Sequence, residues 1–173
     1  MKQKFLFTLL TCMIAVTGVF AQGQKFGYVN ADSVLQAHPK FENQKKVLET
    51  YGKQLQTTLQ DKEKELQAKI ADYQQNAAGW IPDVLQEKEK EIQRLQQEYQ
   101  QFNVSANQKL GMKEQELLSP LSADIEKAIQ SVAKEKGFDF ILRQELFLFS
   151  NPVYDITGDV ITKVKQAASA SNN

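Results

Sequence analysis

The chain has 173 residues, with 21 basic and 21 acidic side chains and a formal net charge of zero. That balance gives no electrostatic case for binding nucleic acid. With one cysteine and one histidine, and no nucleophile paired with a base, metal-ligand cluster or glycine-rich phosphate loop, the sequence predicts neither an enzyme nor a cofactor site.

Lys2 and Lys4 precede an apolar run from Phe5 to Phe20, and Val19-Phe20-Ala21 offers a cleavage site. This pattern predicts a secretory signal peptide over residues 1–21, removed after Ala21. The run of about 16 residues falls short of the ~20 needed to span a bilayer. Cys12 lies inside it, so cleavage leaves no thiol and no disulfide. The remaining chain, 22–173, carries 19 basic and 21 acidic residues, a net of −2.

Lys25 to Asn30 is aromatic and β-branched and predicts a first strand. Asp32 to Ala37 makes a short helical turn closed by His38-Pro39, with Pro39 suited to the start of a long helix. His38 reads as a packing or capping residue. Two stretches of equal length follow, 41–76 and 83–118, separated by a break at 77–82. Leu48, Tyr51, Leu55, Leu59, Leu66 and Tyr73 mark one apolar seam in the first. Leu85, Ile92, Leu95, Tyr99, Phe102 and Leu110 mark another in the second. Steps of three, four and seven place such residues on one side of a helix. Two equal helices joined by a turn predict an antiparallel coiled-coil hairpin, an arm on the order of 54 Å long. Pairing apolar with apolar gives partners whose numbers sum to about 158, as for Leu48 with Leu110 and Leu66 with Ile92. Glutamine and mixed charge fill the outer faces, as expected of solvated helix surface.

Trp80 and Ile81 stand at the turn and are candidates for contact with a bound chain; Trp80 also suits packing over the turn. Gly52 and Gly111 interrupt the two helices near one level of the hairpin. Each weakens its helix by ~1 kcal/mol relative to alanine, which makes the pair a candidate hinge. Pro120 predicts a kink or restart. Leu121, Ile125, Ala128, Ile129 and Val132 then form a broader apolar face, as where a helix enters a folded body. Lys134-Glu135-Lys136-Gly137 ends the helix. Phe138 to Leu142 and Leu146 to Ser150 predict two more strands. A last helix begins near Asp155 or Thr157 with Ile156, Val160, Ile161, Val164 and Ala168 on its face. A frayed tail is expected from Ser169.

Outside the arm, residues 22–40 and 119–168 make a body of about 70 residues, small for an independent core without disulfides or metal. Leu146-Phe147-Leu148-Phe149 is apolar on both faces, which predicts cover from both sides. Association of copies is the economical source, with Phe26, Tyr28, Leu146, Phe147, Leu148 and Phe149 as candidate interface residues. The predicted fold class is α+β, a long helical hairpin projecting from a small β-containing oligomerisation body.

The element order resembles the Skp/OmpH family of periplasmic chaperones over the whole mature chain. The resemblance is carried by Phe26-Gly27-Tyr28-Val29-Asn30, by His38-Pro39, and by Ala133 to Leu142 leading into Asn151-Pro152-Val153-Tyr154-Asp155-Ile156-Thr157. It implies a homotrimer whose arms enclose a cavity and hold unfolded outer-membrane β-barrel proteins without ATP. Relatives that are strongly basic meet acidic clients or lipopolysaccharide, but residues 41–118 here hold 11 basic and 13 acidic residues. No lipopolysaccharide or membrane-surface contact is therefore assigned. The competing function is a structural coiled-coil spacer or adaptor of the cell envelope.

Overall fold

A computed structural model describes residues 23–170; the predicted signal peptide lies outside the described residues. In chain order the elements are β1 (Phe26–Val29), α1 (Ala31–Gln36), α2 (Phe41–Asn76), α3 (Pro82–Lys136), β2 (Phe140–Arg143) and α4 (Thr157–Ala170). Short 3-10 turns occupy Ala77–Gly79, Gln144–Leu146 and Pro152–Tyr154.

The two strands pair in parallel, Phe26 opposite Phe140 and Val29 opposite Arg143. Parallel neighbours need a long crossover. Here the crossover is α1 together with the entire helical hairpin, so the arm is an insertion between two paired strands. Its two ends are thereby anchored at one place.

The core gathers on the side of the sheet that the hairpin root and α4 cover. Val29, Val34, Ile125, Ala128, Val132, Ile156, Val160 and Val164 form one buried cluster, with Phe138 and Ile141 packed against it. Leu121, Ile125, Ala128 and Val132 are buried along α3, the spacing of a helix face meeting a body. The close approach at β1 needs glycine: a Cβ on Gly27 would lie 3.1 Å from the Phe138 ring.

Local chemistry explains the ends. The Asn30 side chain accepts from Ser33 N at 2.8 Å and caps α1. The backbone of Asn30 donates to Thr157 Oγ1 at 3.0 Å, tying the start of α4 to β1. Asp155 Oδ1 accepts from Thr157 N at 2.8 Å at the start of α4. Gly137 closes α3 with φ 67° and ψ 40°, the left-handed conformation that glycine adopts without strain.

Three expectations need correction. α3 continues through Pro120 from the arm into the base without a restart; a proline removes one i→i−4 bond, and the remaining turns and the buried face beyond it carry the helix across. Leu146 to Ser150 forms no strand, because its residues follow a 3-10 turn into bends. Ser169 and Ala170, expected in the tail, continue α4, with Ser169 Oγ bonded to Lys165 O at 2.9 Å.

Candidate functional site: a two-helix arm on an apolar base

The arm has only two helices, so each seam residue is covered from one direction. α2 contains no fully buried residue, and on the α3 arm stretch only Leu95 is buried. Leu48, Leu55, Leu59 and Leu66 are half-buried. Polar links bracket the seam: Lys69 Nζ to Glu91 Oε1 at 2.7 Å, Lys62 to Glu98 at 3.5 Å, and Tyr73 Oη to Glu89 at 2.6 Å. Hydrogen bonding between Lys69 and Glu91 raises the lysine pKa and lowers that of the carboxyl. These links are solvent-exposed, and exposed pairs fix register more than they stabilise.

The partners Lys62–Glu98, Lys69–Glu91 and Asp72–Lys88 have numbers summing to 160, and Leu110 Cδ1 would lie 3.7 Å from a Cβ added at Gly52. The observed sum exceeds the predicted value of about 158 by two. The 3-10 turn Ala77–Gly79 extends the outgoing helix and moves the reversal to Trp80-Ile81. Val104 is exposed, outside the seam.

At the tip, the Trp80 ring meets Tyr73 edge-on at 6.0 Å, and Lys88 Nζ stands 5.6 Å over it. The backbone N–H of Trp80 donates to Ala77 O at 3.2 Å. Trp80 thus closes the turn, while Ile81 is 63% exposed beside it. Gly111 has open space where a Cβ would stand.

His38 sits at the arm root, 3% exposed. Its Nδ1 accepts from Lys40 N at 3.1 Å and its carbonyl accepts from Phe41 N at 2.9 Å. The ring therefore caps the entry to α2 and keeps its proton on Nε2. Nε2 has no hydrogen-bond partner; Asp124 Oδ2 of α3 is 3.7 Å away. Burial lowers the His38 pKa, and the Asp124 carboxylate offsets part of that shift.

The base exposes a broad apolar face. Phe26 and Phe140 stack at 5.3 Å, both outward. Leu146 and Leu148 are exposed, and Phe149 is 84% exposed. Tyr28 differs from its expected place: it is 5% exposed and packs on Phe147 at 6.0 Å within the subunit. Phe140, Leu142, Val153 and Tyr154 also belong to the exposed set and were missed. Period-two alternation in β2, with Ile141 inward, was the available signal for Phe140 and Leu142.

Among the described residues, no group of three or more His, Cys, Asp or Glu is placed to hold a metal ion. No described helix is long and apolar enough to cross a membrane.

An extended helical arm inserted into a small parallel strand pair defines the class: an α+β protein built around a projecting hairpin. Residues 25–164 match the model of the family described as outer membrane protein, OmpH-like. The chain belongs to that OmpH-like family. It is 26% identical over 144 residues to the chaperone protein Skp of Yersinia enterocolitica, covering 83% of this chain and 88% of that protein. A solved OmpH-like structure from Caulobacter crescentus CB15 shares the fold, with a TM-score of 0.73 at 17% identity, over 83% of this chain and 85% of that one. Membership places the protein among chaperones rather than enzymes.

Proposed function

We propose that the protein is an ATP-independent periplasmic holdase for unfolded outer-membrane β-barrel proteins. Three copies join through the exposed apolar face of their bases, using Phe26, Phe140, Leu146, Leu148 and Phe149, and their arms surround a shared space. The observation that carries this reading is the pairing of an uncovered apolar base with a long, thinly packed arm. So many exposed large apolar side chains on a small base point to an interaction site, and association there would join the hairpins through their bases. The likeness to the Skp chaperone supports the class of client, and the predicted signal peptide supports the compartment.

Holding without ATP suits many weak contacts inside a confined volume, where effective concentration replaces individual affinity. Ile81 offers one such contact at each tip, with the half-buried Trp80 beside it. Gly52 and Gly111 serve as the hinge: alanine at both is sterically admissible and should stiffen the arm, seen as slower tip motion by NMR relaxation. No lipopolysaccharide role is proposed for arms with a net charge of −2.

The test is suppression of aggregation of a denatured β-barrel protein, without nucleotide, at one native assembly per client. Suppression at that ratio supports the reading. Its absence, with the assembly intact, would favour a spacer or adaptor.

A further inference from the structure

The two helices of the arm do not present the same surface to solvent. At ~100° per residue, Gln93, Gln97, Gln101, Val104, Gln108 and Gln115 of α3 fall along one line, and Gly111, Met112, Ser119 and Ser122 continue it. All of these residues are exposed; Val104 and Met112 are 62% and 63% exposed. Leu95, buried on this helix, and Leu110, which approaches Gly52 of α2, lie about 150° from the centre of that line. The stripe therefore looks away from the hairpin seam.

No charged side chain interrupts it from Gln97 to Ser122, although α3 carries many. Arg94 and Glu114 stand at its flanks, and Lys109 and Lys113 fall toward the seam side. The outward face of α2 is different, because Lys46, Lys53, Asp61 and Lys64 punctuate it. Among the described residues, the glutamine amides of the stripe have no protein hydrogen-bond partner. Each offers both a donor and an acceptor.

We propose that this uncharged stripe of α3 receives extended segments of unfolded, near-neutral polypeptide, an inference that rests on the holding function above. An unfolded chain displays unpaired peptide N–H and C=O groups, which side-chain amides match in both polarity and neutrality. A fixed charge at the same place would lose hydration without gaining a partner. Val104 and Met112 add apolar contact, and methionine adapts its shape to varied side chains. The stripe is about 44 Å long, room for roughly 13 residues of extended chain at ~3.3 Å each. Such contacts release easily because each is weak.

The experiment compares two triple variants of the full mature protein. Gln101→Glu, Gln108→Glu and Gln115→Glu alter the stripe; Gln54→Glu, Gln56→Glu and Gln60→Glu make the same chemical change on exposed positions of α2. Circular dichroism and native mass establish that both fold and assemble like the wild type. Retention of a denatured β-barrel protein of near-zero net charge is then measured. The stripe variant should bind about tenfold more weakly, and the α2 variant should stay within about twofold of the wild type. Equal losses, or an unchanged stripe variant, would overturn the inference while leaving the holdase reading in place. A stripe variant with altered mass and unaltered retention would mean that copies meet along the stripe, which also overturns it. Failure of the wild type to retain the client would remove both readings. As a second measurement, a photo-crosslinker on Val104→Cys should capture client well above one on Gln56→Cys; equal capture would overturn the assignment.

Discussion

The base and the arm are built from the same chain by opposite means. In the base, α1, the end of α3, β1 and α4 converge, so Val34, Leu121 and Val160 are sealed completely. In the arm, two helices share one seam, and Leu95 alone is buried. The base is therefore held by packing, whose loss is felt at single positions. The arm is held by many partial contacts and by helix propensity, so its losses are small and spread out. The two regions also differ in what they leave exposed: a concentrated apolar face on the base, and polar helix surface on the arm.

The sharpest break of that contrast is at the apolar face. Leu148→Asp combined with Phe149→Asp should separate the copies while leaving far-UV circular dichroism unchanged, because neither side chain is buried within the subunit. Analytical ultracentrifugation checks this, and an unchanged assembly would move the interface elsewhere. Within the subunit, Leu121→Ala should cost about 3 kcal/mol in denaturant unfolding. Leu59→Ala in the arm should cost about 1 kcal/mol, since it loses only half-covered surface. Similar values for the two would erase the distinction drawn between base and arm.

A smaller effect is expected at Gly27. Adding a methyl forces the Phe138 ring to give way, and Gly27→Ala should cost about 1 kcal/mol. The corresponding change at Gly111, with open space around it, should leave stability equal or slightly higher in the same unfolding measurement.

The mildest effect joins the two regions at His38. Burial holds its folded pKa below the ordinary value of 6.5. The unfolded chain therefore takes up a proton first as pH falls, and stability must fall with it. The contribution of neutral His38 is present above pH 6.5 and is lost as pH drops through that value toward the folded pKa. Asp124 on α3 and Lys40 beside the ring act in opposite senses. Melting temperature should decline between pH 7 and pH 5.5 in the wild type and decline less in His38→Gln. Equal slopes would show that the ring titrates as freely in the folded protein as in the unfolded chain.

Much of the arm was legible in the sequence because a seam repeating every three or four residues has no good reading except a helix. The limits 41 and 76 match α2, and Gly137 stops α3 as its type requires. What escaped was set by tertiary context. The run Leu146 to Phe149 was read as a strand covered on both sides; it is irregular, and its apolarity marks an exposed surface. Tyr28 shares its alternation with Phe26, and sequence pattern cannot tell that Phe147 folds over one and not the other. The pairing sum came within two of the observed 160, whereas the 3-10 turn Ala77–Gly79 leaves no periodic signal. The polar stripe of α3 was visible as spacing but was absorbed into the general polarity of the arm.

Association at the base is what turns separate hairpins into an enclosure, so the mass of the native particle tests the account most directly. Native mass spectrometry of the mature protein at micromolar concentration should show three chains per particle, with dissociation on introducing Leu148→Asp and Phe149→Asp. A folded wild-type protein found as a single chain at that concentration would contradict it.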